Sequence, residues 1–79
     1  MSGPAAAVAL LRSLPLDTRV VVRFRLHGDA HTASDALGDL VAMDADACVV
    51  RTRAGEVRVA LSDVLLAKRV PPPPAPRPR

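Results

Sequence analysis

The sequence predicts a small all-β barrel of five strands, and three observations lead to this fold class. Apolar and polar residues alternate with a period of two in several short stretches, which is typical of half-buried strands. The stretch from Cys48 to Val70 has the pattern of a hairpin, one helical turn and a further strand, with no loop longer than a turn between them. Finally, 79 residues allow only one small domain.

The domain must fold around a small core. About 55 residues remain for it once the two ends are set aside, near the lower limit for a fold without disulfides or metals. The single cysteine, Cys48, excludes an intrachain disulfide and fits a reducing compartment. We therefore predict a cytoplasmic protein with an N-terminal helical segment (1–15), a barrel (16–70) and a proline-rich linker or tail (71–79).

A short helix is predicted over residues 5–14, which are rich in alanine and leucine. Pro4 suits a first helical position, Ser2 is a candidate cap and Pro15 ends the helix. The stretch is too short to span a bilayer, and no basic region precedes it as in a signal peptide. The face expected to dock on the barrel carries Val8, Leu11 and Leu14.

The first two strands follow from the alternation. Residues 19–26 form the first strand, the polar segment 27–35 is expected to be a loop, and residues 36–43 form the second strand, with Gly38 as a bend or bulge. In the first strand we expect Val20, Val22, Phe24 and Leu26 to face inward and Val21, Arg23 and Arg25 to face outward.

The third and fourth strands form a hairpin whose register the apolar pattern constrains. A two-residue loop at Ala54-Gly55 places Val50 opposite Val59, whereas a three-residue loop would oppose Val50 to Arg58. The two-residue loop requires a positive φ at Ala54, which destabilises the fold by about 1 kcal/mol. Burying an unpaired arginine would cost several times more. The two-residue loop is therefore the prediction.

The end of the barrel is a 3₁₀ turn over residues 61–64 followed by a fifth strand over residues 65–70, which Pro71 ends. Five short strands with one helical turn before the last are typical of an SH3-like barrel. The helix in front is compatible with an Sm-like variant. The tail, PPPPAPRPR, is expected to be disordered or to form polyproline II.

The segments RVVVRFRL, ALGDLVAMD and ACVVRTRAGEVRVALSDVLLAKRV, with prolines directly after them, carry a resemblance that extends over residues 5–74. They resemble the SH3-like domain at the N-terminus of certain bacterial GNAT-type acetyltransferases, sometimes labelled histone acetyltransferases. The resemblance implies a non-catalytic accessory module, either stand-alone or part of a longer protein. In that family the catalytic domain and its acetyl-CoA loop follow the linker, so none of the family's catalytic or cofactor-binding residues can be placed on this chain.

Sites of catalysis, cofactor binding and metal binding are not expected on this chain. His27 and His31 lie four residues apart near Asp29 and Asp35, but this spacing aligns metal ligands only on a helix, and the segment is predicted to be a loop. Cys48 lies on the predicted inward face, where packing is the usual role of a thiol. We therefore predict that this chain is not an enzyme and needs no cofactor.

The formal net charge of +3 directs attention to the arginines. They could bind phosphates, or they could be solvated and paired locally, as Arg53 with Glu56. Specific nucleic-acid binding is not expected, because the only aromatic residue, Phe24, is predicted to face inward and cannot stack on bases. The candidate surface-contact residues are Arg23, Arg25, Arg51, Arg53 and Arg58.

Two functions are favoured at this stage over a third, catalysis by the chain itself, which only Cys48 and the two histidines suggest. The first is packing against another protein, an acetyltransferase catalytic domain in cis or in trans, for which the outward Val21, Val41 and Val49 would form part of the interface. The second is weak, sequence-unspecific nucleic-acid binding through the arginines. The tail is interpreted as a linker, with a ligand for another protein's proline-binding groove as the alternative. No membrane partner is expected.

Overall fold

The computed structural model describes residues 3–27 and 33–71. These residues form one antiparallel sheet with strand order β4-β3-β2-β1-β5, preceded by a helix. The prediction of a five-stranded all-β fold with a short N-terminal helix and a 3₁₀ turn before the last strand is confirmed. The elements are α1 (Pro4–Ser13), β1 (Arg19–Arg25), β2 (Ala33–Met43), β3 (Ala47–Thr52), β4 (Gly55–Ala60), a 3₁₀ turn (Leu61–Asp63) and β5 (Val64–Arg69).

The core lies on the inner face of the curved sheet and under α1. Every buried side chain among the described residues is apolar, so the core contains no charge or hydroxyl that would need a partner. The inward positions of β1 agree with the predicted alternation, although Phe24 is only partly buried and Leu26 is 39% exposed at the end of the sheet. The side chains with no more than 1% exposure are Leu11, Val20, Val22, Leu40, Cys48, Val50 and Val64.

The helix α1 packs mainly on β5 and closes one side of the core. Pro4 occupies the first helical turn as predicted, and Gly3 is the cap residue, while the predicted cap Ser2 lies outside the described residues. Leu11 is fully buried, in agreement with its predicted face. The Arg12 guanidinium donates a hydrogen bond of 3.1 Å to the carbonyl oxygen of Ala45, which holds the helix against the turn between β2 and β3.

The strand β2 is longer than the sequence pattern suggested. It begins at Ala33 rather than at residue 36, because Ser34 and Asp35 lie in the ladder opposite Phe24 and Arg23 of β1. Pairing with a neighbouring strand thus extends β2 into a stretch whose polar composition alone predicts a loop. The prediction of a loop over the whole segment 27–35 was wrong at its C-terminal end.

The irregularity of β2 lies at Val41 and not at Gly38. The register with β3 shifts between Leu40 and Ala42, leaving Val41 without an opposed residue, which is the mark of a bulge. Gly38 keeps a regular position in the ladder with β1. A Cβ atom at Gly38 would overlap the carbonyl oxygen of Arg51, so glycine is needed there for the close approach of another backbone.

The pairing of β3 with β4 differs from the predicted register by two residues, and the loop moves by one residue. Thr52 lies opposite Gly55 and Val50 opposite Val57, so the two-residue loop is Arg53-Ala54 rather than Ala54-Gly55. Gly55 has the positive φ of 129°, and Ala54 does not need one. The predicted strain at Ala54 is therefore avoided.

The Thr52 side chain completes this turn. Its Oγ1 donates a hydrogen bond of 2.7 Å to the carbonyl oxygen of Gly55 and accepts one of 3.2 Å from the backbone N–H of Ala54. Because the predicted and observed registers differ by an even number of residues, the inner and outer faces of both strands are the same in the two. The faces were predicted correctly, and the partners were not.

Candidate interaction surface

Three apolar side chains lie together on the outer face of the sheet, the side away from the core. Val21 of β1 lies directly opposite Leu37 of β2. Leu66 of β5 lies diagonally across from Val21, because it opposes Arg23, two residues further along β1. Leu37 is 45% exposed, Leu66 is 43% exposed and Val21 is half-buried. We call these three residues the apolar stripe.

Strand alternation places the first two members of the stripe outward. Val20 and Val22 are both fully buried, so Val21 between them must face the other side of the sheet. Leu37 has the same relation to its buried neighbours on β2, Ala36 and Gly38.

The third member depends on an irregularity in β5. Val64 opposes Phe24 and Leu66 opposes Arg23, so Leu65 is passed over and the alternation shifts by one residue. Leu66 therefore lies on the outer face beside the buried Ala67, and the shift allows Val64, two residues earlier, to be buried as well.

Charged side chains border the stripe. On one side Arg23 and Asp35 are directly opposed and form an ion pair of 3.1 Å between Nε and Oδ1. On the other side Lys68 opposes Val21 and is exposed. Within residues 3–27 and 33–71, no acidic side chain lies within ion-pair distance of Lys68. A shallow depression with a net positive charge lies here, and it is lined by Val21, Arg23, Asp35, Leu66 and Lys68.

All five predicted contact arginines are exposed, but three of them are engaged in ion pairs. Arg51 pairs with Glu56 at 3.6 Å, and this contact replaces the predicted pair of Arg53 with Glu56, because the hairpin register opposes Arg51 to Glu56. The two without an ion pair in the described part of the chain are Arg25 and Arg53. The remaining pairs are Arg23 with Asp35 and Arg58 with Asp44, the latter at 3.8 Å.

The arginines do not form one continuous basic patch. Those of β1 and those of the β3–β4 hairpin are separated by β2, which contributes outward acids between them. Asp35 lies opposite Arg23, and Asp39 lies between Arg19 and Arg51 in the ladder. The positive charge of the outer face is therefore interrupted by carboxylates, which weakens its attraction for a polyanion.

Asp44 has a structural role at the turn between β2 and β3. Its Oδ1 accepts hydrogen bonds from the backbone N–H groups of Asp46 at 2.7 Å and Ala47 at 2.8 Å. These bonds, more than the nearby guanidinium of Arg58, hold the pKa of the Asp44 carboxyl below its usual value. This role was not predicted, although Asp side chains in turns commonly accept a hydrogen bond from the backbone N–H two residues later.

Cys48 and the histidines do not form a reactive centre in the described residues. Cys48 is 1% exposed, and burial raises the pKa of its thiol, which disfavours the nucleophilic thiolate. His27 Nε2 lies 2.7 Å from Oδ1 of Asp63, a contact across 36 positions that no local pattern predicts. His31 and Asp29, from the same predicted loop, lie outside the described residues. In the described ranges no group of three potential ligands could hold a metal ion.

A second depression lies where β1 begins and β5 ends. It contains two acids and two bases, Asp17, Asp39, Arg19 and Arg69, so its charges largely cancel. The Nε of Arg19 is buried without a hydrogen-bond partner.

This barrel matches a known protein family. Residues 14–68 match the model of the family described as "Rv0428c N-terminal Sm-like domain", a range that covers more than half of the chain. The chain belongs to this family. The match includes every member of the apolar stripe, and it supports a small accessory or interaction module. No curated protein and no solved structure matches this chain.

The family match supports only part of the resemblance noted in the sequence. The small barrel-like domain is confirmed, whereas the link to acetyltransferases remains a prediction. In the part of the chain that the structure describes, no helix has the length and apolar character needed to cross a membrane.

Proposed function

We propose that this Sm-like domain is a non-catalytic accessory module that packs against an N-acetyltransferase domain of the GNAT type, in cis or in trans, and stabilises or positions it. The observation that carries the proposal is the apolar stripe on the outer face of the sheet. Leu37 and Leu66 leave nearly half of their surface in water although they belong to neighbouring parts of one small sheet.

The arrangement of the stripe favours a protein partner. Single exposed leucines are common on protein surfaces and need no explanation, but contiguous ones bordered by charges are typical of interfaces. An interface of this kind combines an apolar centre with a polar rim. The stripe with Arg23, Asp35 and Lys68 around it has this composition.

The choice of partner rests on sequence. The matched family is described as an N-terminal domain, which by its description is part of a longer protein. The resemblance of residues 5–74 to the domain in front of GNAT-type acetyltransferases supplies the class of that protein. A chemical role for this module is not needed in such an arrangement, since the attached domain performs the reaction.

The test is to mix the purified chain with a purified GNAT-type acetyltransferase domain from the same genome. We expect binding by isothermal titration calorimetry and a higher thermal midpoint for the acetyltransferase domain in the mixture, since a ligand of the folded state stabilises it. The proposal is wrong if no binding is detected and if the stability and activity of the acetyltransferase domain do not change.

A second candidate function is weak, sequence-unspecific nucleic-acid binding. The exposed Arg25, Arg53 and Lys68 have no acidic partner among the described residues and favour it. Fluorescence anisotropy with labelled duplex and single-stranded DNA should then show weak binding that disappears as salt rises from about 20 to about 150 mM. Absence of binding at the lower salt concentration would exclude this function.

A further inference from the structure

We infer that the apolar stripe is the surface on which the acetyltransferase domain docks, and that this domain presents a carboxylate opposite Lys68. The inference rests on the proposed function and adds to it the site and the chemistry of the partner's face. It follows from the position of the stripe, from the charges around it and from a comparison with the other outer surface of the sheet.

The position of the stripe suits a domain attached to the C-terminal segment. Leu66 and Lys68 lie on β5, the strand that leads directly into Pro71. The distance from Leu66 to Pro71 is about 17 Å along an extended chain. Residues 71–79 could span at most about 30 Å if fully extended. A domain connected through this segment is therefore within reach of the stripe.

The charges around the stripe define the complementary surface. Arg23 is neutralised by Asp35, whereas the ammonium group of Lys68 has no carboxylate near it among the described residues. A partner that covers Val21 would remove water from the neighbourhood of Lys68, because the two residues are directly opposed in the ladder. Removing water from an unpaired ammonium group is unfavourable, so the partner must supply an acid.

The rest of the outer face does not offer the same combination. On β3 and β4 the arginines at positions 51 and 58 already have acidic partners. Val49 is half-buried, and it lies opposite the exposed Arg58. A partner docking there would have to desolvate formed ion pairs for little apolar contact.

The experiment maps binding of the purified GNAT-type acetyltransferase domain onto the ¹⁵N-labelled chain by NMR and measures affinities for four variants. We expect amide shifts on β5, β1 and β2. The double variant Leu37→Thr and Leu66→Thr should bind about tenfold more weakly, since truncating residues at the centre of an interface removes most of its affinity. Lys68→Glu should also bind about tenfold more weakly, with a changed salt dependence.

Two matched controls make the result specific. Leu16→Thr removes a leucine that is 54% exposed but lies between α1 and β1, outside the sheet. Arg53→Glu makes a charge reversal like that of Lys68→Glu, but in the β3–β4 turn. Both controls should bind as the unchanged chain does, and the circular dichroism spectra of all variants should agree.

The outcomes separate this inference from the proposed function. If the unchanged chain does not bind, the proposed function is wrong and the inference fails with it. If the chain binds but the stripe variants keep full affinity, or the shifts lie on β3 and β4, the inference alone is wrong. It is also overturned if sedimentation of the chain by itself shows a dimer that Leu37→Thr and Leu66→Thr abolish, since a second copy would then cover the stripe.

Discussion

The two halves of the outer face show what alternation determines and what it leaves to residue type. In both halves, residues that face away from the core alternate with buried ones, apart from the irregularities at Val41 of β2 and Leu65 of β5. On β3 and β4 these positions hold arginines paired with acids, such as Arg51 with Glu56. On β5, β1 and β2 they hold the apolar stripe and the unpaired Lys68. The surface of β3 and β4 is therefore suited to exposure to solvent, and the surface of β5, β1 and β2 is better suited to contact with a partner.

The sharpest contrast is within β2, where Leu40 faces the core and Leu37 faces the outside. Leu40 is fully buried, so Leu40→Ala should lower the free energy of unfolding by about 3 kcal/mol through lost burial and a cavity. Leu37→Ala should lower it by less than about 1 kcal/mol, because the side chain is already 45% exposed. Urea unfolding at low temperature measures both values. Equal losses would mean that the stripe is part of the folding core and not a surface.

A second prediction concerns the contact between the two halves, where β2 lies against β3. Gly38→Ala should destabilise the fold by about 2 kcal/mol, because the added methyl group meets the carbonyl oxygen of Arg51, a backbone atom that cannot turn aside. Gly3→Ala is the comparison variant: a Cβ there meets nothing within 4 Å, so only the smaller preference for glycine over alanine at a helix cap is lost. Thermal unfolding of the two variants measures the difference. A Gly38→Ala variant as stable as the unchanged chain would contradict this account of the glycine.

The strands and their inner and outer faces could be predicted from the sequence. The register of the β3–β4 hairpin could not, because two registers give the same faces. The loops Ala54-Gly55 and Arg53-Ala54 both place Cys48, Val50, Val57 and Val59 on the inner face, so the apolar pattern cannot choose between them. The backbone chooses instead: the observed loop gives the positive φ to Gly55, where it costs least. If the positive φ had been assigned to Gly55 before the apolar residues were paired, the correct register would have followed.

The candidate site shows the same limit. Val21 was predicted to face outward, and Val41 and Val49 were named with it, but all three are half-buried. Leu37 could have been found from the alternation of β2 once its neighbours were assigned inward. Leu66 is ambiguous, because alternation places it outward when counted from Lys68 and inward when counted from Val64. The irregularity at Leu65, which arises from pairing with a strand about 40 residues away, decides between the two.

A smaller effect is expected at the turn that follows β2, and it should depend on pH. The pKa of Asp44 is lower in the folded chain than in the unfolded one, so its contribution to stability is complete above the unfolded value of about 3.9 and is lost as the pH falls through the folded value. Asp44→Asn should therefore lower the thermal midpoint at pH 7 and have little effect near pH 2. Asp46→Asn is the control, because at this turn Asp46 contributes its backbone N–H and not its carboxylate. A difference between Asp44→Asn and the unchanged chain that persists at pH 2 would show that the carboxylate charge is not the cause.

The smallest effect concerns two ion pairs of the outer face, one in each half. Arg23 with Asp35 and Arg51 with Glu56 are both directly opposed across neighbouring strands, but the first pair is closer, at 3.1 Å against 3.6 Å. All four side chains are at least half exposed, so solvent screening should limit each coupling energy to about 0.5 kcal/mol or less. Double-mutant cycles with alanine, measured at low and high salt, should give the larger coupling for Arg23 with Asp35 and a decline of both as salt rises. A coupling above about 1 kcal/mol for either pair would mean that the outer face is held together by charge, and the contrast between a solvated half and a half prepared for a partner would no longer hold.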